Sequence, residues 1–157
     1  MMRTVPQSNC RLAANLASGL SIRRYRSFEA CPSWNKLAAQ PVEPGYDERG
    51  IHLLLVQDFA GRLVVGDSHL YGDGNFDEML DAATESLILR YAARMLEGVD
   101  WTIDRRWHGV YSLLDDRELF AETIDDRIHL ITGIGGKGMT TGPAVARESI
   151  ERMAATR

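Results

Sequence analysis

Apolar and polar positions are most clearly ordered over "IHLLLVQD" (51–58) and "RLVVGDSH" (62–69), two β-branched-rich runs joined by "FAG". This pattern predicts a β-hairpin with Gly61 supplying the turn geometry and Gly66 marking a bulge or a close approach of backbone. Over "NFDEMLDAATESLILRYAARMLEGV" (75–99) the period changes to helical, with Phe76, Leu80, Ala83, Leu87, Tyr91 and Met95 recurring on one face. A long helix over 75–98 is expected, capped by Asn75 and stopped at Gly98. Its Met and aromatic stripe reads as core packing. Upstream, "MMRTVP" opens as a strand already under way and "SGLSIRRYRSF" (18–28) reads as a second strand. "SWNKLAAQ" is a short helix with Ser33 as N-cap, and "PVEPGYDERG" is a Pro/Gly loop. Downstream, "WTIDRRWHGVYSLL" (101–114), "ELFAETID" and "RIHLITGIG" are strand candidates, and "TTGPAVARESIERMAA" is the last helix. Without a βαβ rhythm the order predicts an α+β fold: a mostly antiparallel sheet, the long helix 75–98, and a C-terminal helix packed after a glycine turn.

Composition narrows the functional classes. A chain of 157 residues with 45% apolar content is the size of one ordinary domain with a real core. Its net charge of −4 gives no basic excess for nucleic acid. Arg3, Arg11, Arg23, Arg24 and Arg26 precede the first acid, Glu29, which is compatible with a transit peptide; the strand-like "SGLSIRRYRSF" favours a basic strand instead. No uninterrupted apolar run reaches membrane-spanning length, so no membrane partner is expected. Cys10 and Cys31 form no C-x-x-C pair and are expected to be free thiols in a reducing cytoplasm. His52, His69, His108 and His129 are scattered without ligand spacing, so no metal site is expected.

"LITGIGGKGMTTGPAVARESIERM" (130–153) places Gly133, Gly135, Gly136 and Gly138 between an apolar run and an amphipathic helical pattern. Neither familiar phosphate loop fits. A dinucleotide fingerprint needs a second strand with an acidic residue about 20 positions on, and a Walker loop needs Lys followed by Ser or Thr after its last glycine. The remaining reading is a strand ending at Gly133, a glycine turn, and a helix beginning near Met139 to Gly142. Such a helix N-terminus suits an anion or an electron-rich ring edge. A plain structural turn, with Thr140 or Thr141 as N-cap and Pro143 in the first turn, explains the stretch equally well.

Two further groups carry candidate chemistry. Asp67, Ser68 and His69 invite a hydrolase reading, but neighbours on a strand point to opposite faces, and turn capping by Asp67 and Ser68 is the simpler account. In "RRWHGVY", period two puts Trp107, Gly109 and Tyr111 on one face and His108 and Val110 on the other. An indole, a gap and a phenol leave room for a flat ligand, or form an ordinary aromatic core.

"WHGVY", followed by "IHLITGIGGKGMTTGPAVARE", resembles the C-terminal end of the D-amino-acid oxidase, glycine oxidase and sarcosine oxidase family of FAD-dependent amine oxidoreductases. "LVVGDSHLYG" is similar to a stretch of a phosphonate-associated subgroup. The resemblance implies that Gly135, Gly136, Lys137, Gly138, Met139 and Thr140 contact FAD, and that Trp107, His108 and Tyr111 border the substrate. It also implies hydride transfer from a carbon next to an amine, in a cytoplasmic enzyme whose partner is a small-molecule amine.

Two departures from the family pattern shape the expectation. The family's N-terminal G-x-G-x-x-G Rossmann segment has no counterpart here, so residues 1–157 are expected to be one fragment: a substrate-binding domain plus a FAD-contacting strand-turn-helix, with a partner chain or a missing gene segment supplying the Rossmann half. Tyr111 stands where glycine oxidase-like members place a carboxylate-binding Arg, which points away from a simple amino acid and towards an aminophosphonate. Two other readings compete, a non-catalytic α+β binding module and, more weakly, a hydrolase built on Asp67 and His69.

Overall fold

The computed structural model describes residues 1–72, 81–125 and 127–155. The chain divides into two compact units, Met1–His108 and Gly109–Arg157. The fold is α+β with antiparallel sheets, as the order of elements predicts.

In the first unit, strands β1 (Met2–Pro6), β2 (Leu16–Ala17), β3 (Leu54–Gln57), β4 (Arg62–Gly66) and β5 (Ile103–Arg106) form one sheet in the order β2-β3-β4-β1-β5. The expected hairpin is β3–β4, paired from Leu54↔Gly66 to Gln57↔Leu63. Its turn is held by Asp58, whose carboxylate accepts from the N–H groups of Ala60 and Arg62, while Gly61 takes a φ of 80° that a side chain would resist. Strand β1 lies between β4 and β5, with Met2 opposite Val65 on one side and Arg106 on the other. Its pairing to β4 is irregular between Arg3 and Pro6. There the buried Thr4 hydroxyl stands in for a backbone acceptor: it takes the Leu63 N–H at 3.0 Å and donates to the Val5 carbonyl at 2.8 Å.

Helix α3 (Ala82–Met95) begins at Asp81, whose carboxylate caps the Thr84 N–H at 2.8 Å, and ends before Gly98 at a φ of 72°. The expected cap at Asn75, and Phe76 and Leu80 of the expected stripe, lie outside the described residues. Thr84, Ile88 and Ala92 are the buried line, one position on from the expected Ala83, Leu87 and Tyr91. Leu87, Tyr91 and Met95 flank that line and pack against a core of Met2, Leu53, Leu55, Leu63, Val65 and Ile88.

The segment 18–28 is not a strand. It forms helix α1 (Gly19–Arg23) and a 3₁₀ turn (Arg26–Phe28). Ser18 is a capping residue: its hydroxyl accepts from the Ser21 N–H. Ser21, not Ile22, turns inward, donating its hydroxyl to the Leu53 carbonyl at 2.8 Å. A buried hydroxyl at position 21 broke the apparent two-residue period. Helix α2 (Trp34–Ala38) follows Ser33 as expected, although the Ser33 side chain makes no capping bond.

In the second unit, β6 (Phe120–Ile124) and β7 (Ile128–Thr132) form a separate antiparallel pair, and α4 (Gly138–Ala155) follows. No helix among the described residues is long and apolar enough to cross a membrane.

Thr4→Val keeps the shape but strands the buried Leu63 N–H. It should lower stability by about 1–3 kcal/mol, seen as a lower urea midpoint with an unchanged slope.

Candidate functional site

The glycine turn is built within the second unit. Gly133 follows β7 at a φ of 77°, and the Leu114 side chain lies against it so closely that any Cβ would collide with it. Leu113 bridges to Ile134, fixing the exit from the strand. A 3₁₀ turn over Gly135–Lys137 then leads directly into α4. Helical winding therefore starts earlier than expected, and Pro143 sits inside α4 rather than in its first turn. Neither Thr140 nor Thr141 is the N-cap. Thr141 bonds back to the Lys137 carbonyl at 2.9 Å, and Ile134, at the capping position, supplies no side-chain bond. The Lys137 ammonium pairs with Glu118. Met139 is 98% exposed.

Tyr111 comes to this turn. A Cβ on Gly136 would lie 3.4 Å from the Tyr111 hydroxyl, and the ring is 46% exposed. Trp107 and His108 belong to the first unit. Strand β5 ends at Arg106, so the two-residue alternation expected through Tyr111 does not hold. The Trp107 N–H makes a last rung to the Met1 carbonyl at 3.1 Å, its indole lies under the Arg105 guanidinium, and His108 is exposed.

The residues of the turn fit the ring edge of FAD. Gly135, Gly136 and Gly138 put no side chain between backbone and ligand, and the first turn carries no acidic residue and no side-chain cap. The positive end of an 18-residue helix thus has no acidic residue in its first turn to offset it.

A second constellation joins Asp67 and His69, a pair the sequence had singled out, to His52, which it had not. Beyond Leu54↔Gly66 the pairing slips by one residue, and His52 and Asp67 exchange both backbone hydrogen bonds at 3.1 and 2.8 Å, which puts their side chains on one face. His69, two residues beyond Asp67, joins that face. The imidazoles stack at 4.5 Å between centroids, with His52 Nε2 and His69 Nδ1 3.0 Å apart. Asp67 spans both rings on their other edge, Oδ1 at 3.3 Å from His52 Nδ1 and Oδ2 at 3.5 Å from His69 Nε2. Asp67 is therefore not a turn cap. The sequence signal available was the period-two spacing of Asp67 and His69; His52 could join them only once the hairpin register was known.

Burial dominates the electrostatics of this cluster. It holds the Asp67 carboxyl up at about 6, and lowers His52 to about 3 and His69 to about 4, with the neighbouring imidazole and the Arg24 guanidinium adding to the drop at His52. The signs oppose. Between pH 6.5 and about 4 the unfolded chain binds two imidazole protons that the folded chain does not, while the folded chain holds one carboxyl proton that the unfolded chain has lost. The cluster should therefore lose stability as pH falls through this window, with net uptake of about one proton on unfolding. In chelating buffer, His52→Gln combined with His69→Gln should reverse its contribution, leaving the Asp67 share, which favours the folded state at lower pH. Urea unfolding at a series of pH values reads the slope in both proteins.

Comparison with known proteins gives one finding: the family model described as FAD dependent oxidoreductase matches residues 8–152. No curated protein and no solved structure matches the chain. The family match runs through the β3–β4 hairpin, Tyr111 and the glycine turn alike, and the chain belongs to the FAD-dependent oxidoreductase family.

Proposed function

We propose that this chain is the substrate-binding and flavin-contacting C-terminal part of an FAD-dependent amine oxidoreductase. The observation that carries this reading is the placement of the Tyr111 hydroxyl against Gly136, beside the uncapped head of α4. When bound, FAD supplies the hydride acceptor for a substrate carbon next to an amine. The chain's part is positioning. Backbone N–H groups of the Gly135–Lys137 turn hold the electron-rich edge of the ring, with Gly138, Met139 and Thr140 continuing that surface. Lys137 is already neutralised by Glu118, so the helix end rather than the ammonium provides most of the field. Tyr111 offers one hydroxyl and a ring edge to the substrate. The family resemblance would have Trp107 border the substrate and His108 bind an anionic group or accept the ammonium proton.

The ADP half of FAD needs a dinucleotide fold, supplied by another segment or a partner chain; the sheets among the described residues are antiparallel throughout. The preferred substrate class is an aminophosphonate. Tyr111 lacks the bidentate fork with which an Arg grips a carboxylate. Of the basic residues near the N-terminus, Arg23 is committed to the Leu37 and Gln40 carbonyls and Arg24 to the Tyr71 hydroxyl. This leaves His108 and the exposed Arg26 as the cations to test.

The chain alone should bind FAD more weakly than about 1 μM, followed by flavin fluorescence. Joined to its FAD-binding half, it should oxidise small aminophosphonates in preference to glycine or sarcosine, measured as hydrogen peroxide release or dye reduction. Tyr111→Arg should move that preference towards amino acids. Better turnover of glycine by the unmodified enzyme would sink the substrate assignment.

Gly136→Val places a branched side chain against Tyr111 and across the turn, and should lower kcat/KM roughly 100-fold. Gly142→Ala, in open space within α4, serves as the control and should leave activity unchanged. Equal losses in the two variants would argue that the turn is only a structural element.

A further inference from the structure

The His52–Asp67–His69 cluster poses a proton-counting problem. Three close contacts join its members: His52 Nδ1 to Asp67, His69 Nε2 to Asp67, and His52 Nε2 to His69 Nδ1. Two neutral imidazoles carry two N–H protons between them. Whichever tautomers are chosen, one of the three contacts sets two electron-rich atoms against each other. If both protons face the carboxylate, two bare nitrogens meet at 3.0 Å. If one proton lies between the rings, a bare nitrogen faces a carboxylate oxygen. Consistent with that frustration, the buried His52 Nδ1 and Asp67 Oδ1 face each other at 3.3 Å without forming a hydrogen bond. His69 Nδ1 also lies 3.4 Å from the Gly50 carbonyl, and a cation between the two bare nitrogens would let both protons face the carboxylate.

We propose that His52 and His69, oriented by Asp67, bind one divalent first-row transition-metal ion, separate from the glycine turn. Each residue offers a polar atom, and the three atoms lie within 4.8 Å of one another. An ion at His52 Nε2 and His69 Nδ1 leaves the opposite nitrogens of both rings to donate to the Asp67 carboxylate. Two imidazole nitrogens 3.0 Å apart, each at about 2.0–2.1 Å from the ion, subtend roughly 95°, inside the range of octahedral and distorted tetrahedral sites. Two imidazoles select Zn²⁺, Fe²⁺ or Co²⁺ over the hard cations Mg²⁺ and Ca²⁺. The ligands are pre-placed. The His52–Asp67 backbone pair fixes one ligand and its carboxylate partner, and the second ligand is fixed by the bond from the His69 N–H to the Arg49 carbonyl. Gly50 is part of that fit: at a φ of 53°, it lets the His69 backbone approach so closely that a Cβ would lie 2.8 Å from the His69 carbonyl oxygen. Burial keeps both imidazoles neutral at neutral pH, the form that binds metal. The positive charges of Arg24 and the Met1 ammonium act on the same site and moderate the affinity.

The full chain, stripped with chelator and dialysed into metal-free buffer, is titrated with Co²⁺ and then with Zn²⁺. Visible Co²⁺ absorption should saturate at one equivalent and be bleached by Zn²⁺. In long-range ¹H–¹⁵N spectra, Zn²⁺ should shift the ring nitrogens of His52 and His69 and leave those of His108 and His129 in place. Asp67→Asn and His69→Gln, checked for fold by circular dichroism, should each weaken Co²⁺ binding about 100-fold. Absence of saturable binding, or shifts confined to His108 and His129, would overturn the proposal. Because neither readout needs FAD, loss of this site and failure of the flavin reading are distinguishable, and the nitrogen spectra of the unmodified chain decide the matter even if a variant does not fold.

Discussion

The first unit depends on the lodging of β1 between β4 and β5. Met2 and Thr4 are withdrawn completely from solvent there, and the Thr4 hydroxyl repairs the ladder at the point where the β1–β4 register slips. On the exposed face, Arg3 forks onto the Asp104 carboxylate with two bonds of 3.0 Å, and Arg62 approaches the same carboxylate from β4. Such exposed pairs contribute little energy but help set register. The apolar side chains of β3 and β4, with Met2, then present one continuous surface to Ile88 and Ala92 of α3. Just past the same ladder, a one-residue slip brings His52 opposite Asp67. Backbone pairing that builds the core thus also builds the polar cluster.

What could be read from the sequence follows from where local signals agree with tertiary ones. The β3–β4 hairpin, β6, β7 and both longer helices stood out because period, turn residues and caps point the same way. Segment 18–28 misled because Leu20, Ile22 and Phe28 fall on one parity and mimic alternation, while the deciding interaction, Ser21 to the Leu53 carbonyl, spans 32 residues. The strand drawn through 101–114 stops at Arg106, where Trp107 makes its last rung to Met1; no pattern within the segment marks that limit. Of the expected site residues, Tyr111 and the glycine turn meet, whereas the face shared by Trp107 and Tyr111 does not survive the end of the strand. The His–Asp–His cluster was only partly visible: Asp67 and His69 stood out, but His52 joins them through a slipped pairing beyond the hairpin register that no spacing in sequence reports.

The second unit has a different energetic character. Among the described residues, every fully buried apolar side chain lies in the first unit. Ile124, Ile128, Leu130, Ile131 and Ile150 remain open, and α4 buries no residue completely. A two-stranded ribbon and one helix with so little interior are marginal alone. On the reading proposed above, the FAD-binding half and the cofactor itself supply the missing cover. Flavin contact and stability of this unit would then be coupled by mass action.

The position of β1 also dictates an order of events during synthesis. Its partners β4 and β5 lie about 60 and 100 residues further along the chain, the Arg3–Asp104 pair being separated by 101 positions. At translation speeds of roughly 5–20 residues per second, the Met2–Pro6 strand waits some 5–20 s before its second neighbour exists. Until then the β3–β4 hairpin can form alone, but the sheet has an open edge where β1 belongs. The first unit is thus closed by a long-range strand insertion, the slowest kind of contact to make and the most exposed to competing chains while it is pending.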